Sequence, residues 1–404
     1  MAKRRANDEG ALYQRADGMW IGALTLPPDP TTGKRRRKTV SAKKKVDARR
    51  KLDEIRARLK ESGDLPTANL RTEAWARTWL ERLDVKPRTA ESYRSNVERF
   101  ILPTLGKVPL ANMSVAHIRR MLDSITERGL SPTTALQAHR VLRKMLADAH
   151  AEGLVATNVA MRVKAPRAAR TERSMLTLEQ AHAVLAAEPD PMWRVRWAIA
   201  LFNGARQGEV LGIRPEAIDT TTGLVELAWQ VQRLQWLHGC GGQCGRKRGA
   251  ECPARRVDVK AHEEAEQIRG GLWKIRPKSS TSWRRIMLMP EDREAVVELM
   301  EDRPGDFLFN DDGRAVDPRV DYGRWKDALE RAGVPPVTLH SARNSAATLL
   351  WEAGVDEQMR MMILGHSSAV MTRHYTRVDV AAMQRAMEMV AKVAGRSKVP
   401  QLEP

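Results

Sequence analysis

Between Thr338 and Val378 the chain carries His340-Ser-Ala-Arg343, then Leu364-Gly365-His366-Ser367-Ser368, then Tyr375 within His-Tyr-Thr-Arg. Exchanging a phosphodiester without water or metal needs a nucleophile to take the phosphate, cations to hold its growing charge, and an acid for the leaving oxygen. The Tyr375 phenol, with an ordinary pKa of about 10, attacks only where neighbouring cations or a base favour its oxyanion. His340, Arg343 and His366 are neighbours of that kind. Arg343 follows His340 by three residues, so on a helix both project from one face and converge on one anion. A planar guanidinium also grips two phosphate oxygens at once, which a lysine cannot do. Taken alone, a His-x-x-Arg pair at helical spacing is most often an ordinary polar face. Order and flanking residues are what give this set its meaning.

Composition sets the class. The 404 residues allow two or three domains, and 42% hydrophobic against 29% charged residues suits a chain with sizeable cores rather than a disordered tail. A net charge of +19 attracts polyanions, nucleic acid foremost, although a basic surface can also serve a membrane or solubility. Residues 1–60 hold 18 Lys and Arg against 7 Asp and Glu, so more than half the excess lies at the front. No apolar run approaches the roughly 20 residues of a membrane span, and Met-Ala-Lys-Arg-Arg leads into no apolar signal core. The expectation is therefore a soluble cytoplasmic protein with no membrane partner. Three cysteines within one loop argue against a disulfide framework.

Leu364-Gly-His-Ser-Ser, then Thr372, then Tyr375-Thr resembles the C-terminal active-site segment of the tyrosine recombinases, the phage integrase family. Asn203-Gly-Ala-Arg206-Gln-Gly-Glu209 resembles that family's first arginine motif, with Glu209 placed to orient an arginine. Arg276-Pro-Lys278-Ser-Ser-Thr-Ser-Trp-Arg-Arg-Ile resembles the hairpin turn bearing its catalytic lysine; Lys274, in the preceding strand, is the competitor. The resemblance implies six catalytic residues: Arg206, Lys278, His340, Arg343, His366 and Tyr375. Tyr375 would attack the scissile phosphate, Lys278 would protonate the departing 5′ oxygen, and a 3′-phosphotyrosyl link would keep the bond energy, with no ATP and no catalytic metal. Ser341-Ala342 replaces an acidic-apolar pair common in the family, and Asn344 stands where many relatives have a second histidine. A type IB topoisomerase-like strand relaxase is the rival within this chemistry. A non-catalytic architectural DNA-binding factor is the rival outside it.

Around these residues the sequence outlines a multidomain α+β protein. Residues 11–41 alternate apolar runs with turns and read as a three-stranded antiparallel sheet. A helix capped by Ser41 and running to Ser62 would cover it with Val46, Leu52, Ile55 and Leu59. This part, residues 1–63, resembles the small arm-site DNA-binding domain of phage integrases, with Lys34, Arg35, Arg36, Arg37, Lys43, Lys44 and Lys45 as backbone-contacting cations. Helical patterns at Trp75–Leu83, Thr89–Ile101, Val115–Ile125 and Pro132–His150, parted by Pro103, Gly106, Pro109 and Gly129-Leu-Ser-Pro132, resemble the core-binding bundle over 67–165. Lys164–Arg173 looks like a linker, and 174–395 like a mainly α catalytic domain with a small antiparallel sheet, followed by a tail at 396–404.

Within that last domain, helices are expected at Leu178–Ala187, Met192–Phe202 and Tyr322–Ala332, and strands at Leu224–Ala228, Gln230–Leu237, Leu272–Ile275 and Asp306–Phe309. Val380–Val393 is amphipathic and would dock on a neighbouring subunit, as the family implies, or pack within its own domain. The loop 237–271 departs from the compact family pattern. It offers His238, Cys240, Cys244 and Cys252, with His262 beyond, enough for one structural zinc, although the Cys-x3-Cys spacing is permissive and two glycines loosen it. The implied partners are double-stranded DNA at core and arm attachment sites, a homotetramer on that DNA, and room for a host DNA-bending factor.

Overall fold

In the computed structural model the described residues are 11–28, 35–62, 70–169, 175–276, 284–365 and 380–396. The chain is a multidomain α+β protein that divides into two units, Met1–Val85 with Thr89–Arg170, and Thr171–Pro404 with Lys86–Arg88.

The first unit holds two separate cores. Strands β1 (Ala11–Gln14), β2 (Trp20–Leu26) and β3 (Arg36–Ala42) form an antiparallel sheet in that order. Helix α1 (Lys45–Ser62) packs Leu52, Ile55 and Leu59 on Leu24, Leu26 and Val40. Two expectations are corrected here. Ser41 belongs to β3 and caps nothing, because the helix begins four residues later. Val46, in the first turn of α1, points away from the sheet and is 77% exposed.

The second core is a helical bundle of α2 (Thr72–Arg82), α3 (Pro87–Asn96), α4 (Leu102–Leu105), α5 (Val115–Glu127) and α6 (Pro132–Ala151). Ser114 and Ser131 cap α5 and α6 by accepting from His117 N and Thr134 N. Pro103 does not part the helices as its sequence context suggests. A π turn at Val97–Ile101 carries the backbone from α3 straight into α4. Lacking an N–H, Pro103 leaves the Arg99 carbonyl without its usual partner four residues on, and Arg128 Nη1 donates to that oxygen at 3.2 Å.

The second unit is built around α8 (Pro191–Phe202), in which Trp193, Trp197, Ile199, Leu201 and Phe202 are all buried. In its middle Arg196 is wholly buried and donates to both carboxylate oxygens of Asp321 at 2.7 and 3.0 Å. The remaining elements are α7 (Leu178–Ala186), α9 (Gln207–Leu211), β4 (Ile218–Asp219), β5 (Leu224–Leu227), β6 (Gln230–Arg233), β7 (Leu237–His238), β8 (Arg255–Arg256), β9 (Ala265–Arg269), β10 (Leu272–Ile275), β11 (Arg284–Met287), α10 (Pro290–Asp302), β12 (Asn310–Asp311), β13 (Arg314–Ala315), α11 (Pro318–Arg331), α12 (Leu339–Glu352), α13 (Glu357–Leu364) and α14 (Val380–Val393). Two three-stranded antiparallel sheets run β6-β10-β9 and β11-β5-β4.

Asp306–Phe309 is no strand. Its apolar residues Phe307, Leu308 and Phe309 are buried as an irregular segment, pinned by Leu308 N donating to Ile213 O at 2.9 Å, and the strand pairing falls on the β12–β13 hairpin that follows. Helix α14 packs Met383, Met387 and Val390 into the core of this same unit, so its apolar face is satisfied within its own fold. Among the described residues no helix is long and apolar enough to cross a membrane.

Candidate active site

Three corners of the second unit converge around the Glu209 carboxylate and the carbonyls of Gly204, Leu364 and Gly365. The first is the turn between α8 and α9. Gly204 has φ +60, and a Cβ there would stand 2.8 Å from Leu364 Cδ2 and 3.1 Å from Ala346 Cβ, so the left-handed turn and the close packing both require glycine. That turn delivers Arg206 to the start of α9. Its backbone N and its Nη1 donate to the two oxygens of Glu209 at 2.9 and 2.7 Å, as expected of a glutamate that orients an arginine. Nearly half of the Arg206 side chain stays exposed, while Glu209 is buried.

The second corner is α12. His340 lies exposed in its first turn, and one turn on Arg343 is buried. Arg343 Nη1 donates to Gly204 O at 2.6 Å and its Nη2 to Leu364 O. Ser341 and Ala342, the departures from the expected pattern, are buried in the unit rather than exposed at the site. The third corner is the end of α13, where Gly365 in left-handed conformation caps the helix. Arg206 Nη2 approaches the Gly365 carbonyl at 3.4 Å, so Arg206 and Arg343 grip successive carbonyls from two sides.

A residue to which sequence reasoning gave no role completes the group. Arg284, the first residue of β11, is buried; its Nη2 donates to Glu209 Oε2 at 2.7 Å and its Nη1 to Ile363 O. A Cβ at Gly365 would fall 2.5 Å from Arg284 Cδ, so the cap and the arginine are fitted to each other. Strand alternation was the available signal: in Arg284-Arg285-Ile286, the residue two before a buried isoleucine faces inward too.

Three guanidiniums against one carboxylate leave an excess of positive charge in a poorly solvated place. Burial, and then the charges of Arg284 and Arg206, lower the Arg343 guanidinium to about 10. Burial also lowers Arg284. Burial alone would raise Glu209, but the Arg284 charge and the hydrogen bonds from both arginines outweigh it and hold the carboxyl below its ordinary value. Such a cluster is relieved by an anion, and the half-exposed Arg206 is the side from which one can enter.

Arg206 and Arg343 are thus brought together, with His340 one helical turn before Arg343. Lys278, His366 and Tyr375 lie outside the described residues; His366 directly follows Gly365 in the chain, and Lys278 falls in the segment joining β10 to β11, which belong to separate sheets. Lys274 is engaged elsewhere, its Nζ 2.8 Å from Glu266 and 4.8 Å from the Trp229 ring centre. In the first unit, Arg35, Arg37, Lys43, Lys44 and Lys45 are exposed and Arg36 half-buried, with Lys45 Nζ 5.2 Å from the Trp20 ring centre; Lys34 lies outside the described residues. His238, Cys240, Cys244 and Cys252 gather their ligand atoms within 4.8 Å of one another, while His262 is exposed and not in that group.

Residues 264–382 match the Phage integrase family and residues 72–166 the Phage integrase central domain. An integrase of Saccharopolyspora erythraea is 28% identical over 93% of this chain and 94% of its own length. Among solved structures, the Tn1549 transposon integrase in complex with a circular intermediate DNA covers 78% of this chain and 98% of its own at TM-score 0.57 and 19% identity. A lambda integrase tetramer bound to a Holliday junction covers 94% of this chain and 100% of its own at TM-score 0.53 and 17% identity. At these identities the two structures speak for the fold.

Proposed function

Because this chain belongs to the phage integrase family and is a tyrosine-type site-specific recombinase, we propose that it cuts and rejoins DNA at attachment sites through a 3′-phosphotyrosyl intermediate made by Tyr375. The observation that carries this reading is the convergence of Arg206 and Arg343 on the carbonyls of Gly365 and Leu364, directly before His366. Two guanidiniums held there are suited to the non-bridging oxygens of one phosphate. In the proposed step the Tyr375 oxygen bonds to phosphorus as the bond to the 5′ oxygen breaks, and Lys278 protonates that oxygen. His340 and His366 donate hydrogen bonds to the phosphate, and one of them takes the phenol proton. Attack by another strand's 5′ hydroxyl reverses the step and frees the tyrosine.

The basic first unit supports a finer reading, in which Lys34 to Arg37 and Lys43 to Lys45 hold arm-type sites, the helical bundle holds core sites, and four copies assemble on the DNA in the bacterial cytoplasm with room for a host bending factor. The test uses a nicked attachment-site duplex whose 5′ fragment can diffuse away. Wild type is expected to give a detergent-resistant protein–DNA adduct and Tyr375→Phe none. Equal binding by both with no adduct from either would favour a non-catalytic architectural factor. Relaxation of a supercoiled plasmid lacking any attachment site, with no strand exchange, would favour a strand relaxase.

A further inference from the structure

The insertion between β6 and β9 holds a second cluster of chemistry-bearing side chains, separate from the Arg206–Arg343 group. Strands β7 and β8 pair antiparallel and bring its two ends together, Leu237 opposite Arg256 and His238 opposite Arg255. His238 Nδ1 then lies 3.3 Å from Cys244 Sγ and 4.0 Å from Cys240 Sγ, and Cys252 Sγ lies 3.5 Å from Cys240 Sγ. A tetrahedral ion with Zn–S near 2.3 Å and Zn–N near 2.0–2.1 Å demands S···S edges of about 3.8 Å and S···N edges of about 3.6 Å. These three edges depart from the ideal by a few tenths of an ångström, and all four ligand atoms lie within 4.8 Å of one another. The Cys240–Cys252 separation is well beyond the roughly 2.05 Å of a disulfide, and all three cysteines are free.

The local backbone is shaped to the cluster. Gly241, Gly242 and Gly245 have φ of +63, +88 and +64, so the glycines beside Cys240 and Cys244 wrap the chain around the thiols instead of loosening it. At Gly239 and Gly249 a Cβ would sit 2.2 Å from Ala254 O and 2.1 Å from Trp236 O, so these glycines let the two sides of the loop close. Little apolar surface holds the closure beyond the Trp236 ring, over which the Arg255 guanidinium lies at 5.0 Å from the ring centre. Between Leu234 and Leu272 the only buried apolar side chain is Cys252. A loop of this length with no core needs another source of cohesion.

We propose that His238, Cys240, Cys244 and Cys252 bind one structural zinc ion, which holds the insertion as a compact knuckle. Three thiolates and one imidazole select a soft, tetrahedral divalent ion over magnesium or calcium, and four protein ligands leave no open position for catalysis. On binding, the three thiols release three protons, the imidazole enters neutral, and the centre carries a net charge of −1. That charge is set among Arg246, Lys247, Arg248, Arg255 and Arg256, with Glu251 the one acidic residue from Leu237 to Arg256.

The full-length chain, purified without a polyhistidine tag or chelator and under reducing conditions, is expected to hold one zinc per chain by elemental analysis. Exchange with Co2+ is expected to give the ligand-field bands of a tetrahedral site and thiolate-to-cobalt charge transfer, a readout independent of any variant. The double variant C240S/C252S is expected to lose the zinc and to be cut faster by trypsin after Arg246 to Arg248, while keeping the wild-type far-UV spectrum. Zinc below a tenth of an ion per chain with no tetrahedral cobalt spectrum, or full zinc retained by C240S/C252S, would overturn the assignment. A Cys240–Cys252 disulfide in the reduced preparation would do the same.

Discussion

Arg284 and Glu209 form an ion pair of 2.7 Å in which the side chains are 5% and 3% exposed. Removing one partner of such a pair leaves the other charged and unsolvated. Arg284→Ala is therefore expected to destabilise the second unit by about 3–5 kcal/mol, read as a lower denaturation midpoint. Arg206→Ala, whose side chain is half solvated, should leave the midpoint near wild type and instead reduce adduct formation by about 10² to 10³. Equal stability losses for the two variants would contradict this division.

The same pair sets a pH dependence. Glu209 is held below its ordinary value in the folded state, so its contribution is complete above an unfolded value of about 4.3 and is lost as pH falls through the folded one. Glu209→Gln should cost most at neutral pH, and its deficit relative to wild type should shrink in acid. Denaturation midpoints collected from pH 7 to pH 3 test this, and a deficit constant across that range would count against it.

Gly204→Ala is expected to cost about 1–3 kcal/mol, since the left-handed backbone is strained for alanine and the added methyl meets Leu364 and Ala346. Arg343 leans on the Gly204 carbonyl, so strand cleavage should fall along with stability. An active Gly204→Ala protein of undiminished stability would show that the turn can open without disturbing Arg343.

In the helical bundle, Arg128→Ala leaves the Arg99 carbonyl beneath Pro103 to solvent and is expected to cost about 1 kcal/mol. In Pro103→Ala/Arg128→Ala the restored backbone N–H should recover most of that loss. The thermodynamic cycle of wild type, the two single variants and the double variant measures it, and strictly additive effects would rule out the coupling.

If Arg37, Lys43 and Lys44 each meet a phosphate, replacing all three by glutamine should weaken arm-site binding alike for every sequence. The slope of log affinity against log salt should become shallower by about 0.9 for each phosphate that is no longer neutralised. An unchanged slope would assign these cations to solubility.

Much of this protein was legible along the chain, because helical and strand periodicity, caps and a dense run of chemistry-bearing residues are all local. The sheet and helix at the front, the helices of the bundle, α8 and α14, and the pairing of Arg206 with Glu209 follow from residues a few positions apart. Local rules misled where a distant partner overrode them. Pro103 ends a helix unless a π turn and Arg128 take over its missing bond, and Phe307 to Phe309 look like a strand until Ile213 claims the backbone as an irregular core segment. Arg284 stayed without a role because its worth depends on Glu209 and Ile363, which only folding brings to it. Sequence by itself determined which groups are present, their order and the chemistry they permit. Tertiary structure alone decided which of them share a charge, because Coulomb energy and desolvation depend on distance and burial through space, and neither is written in the spacing along the chain.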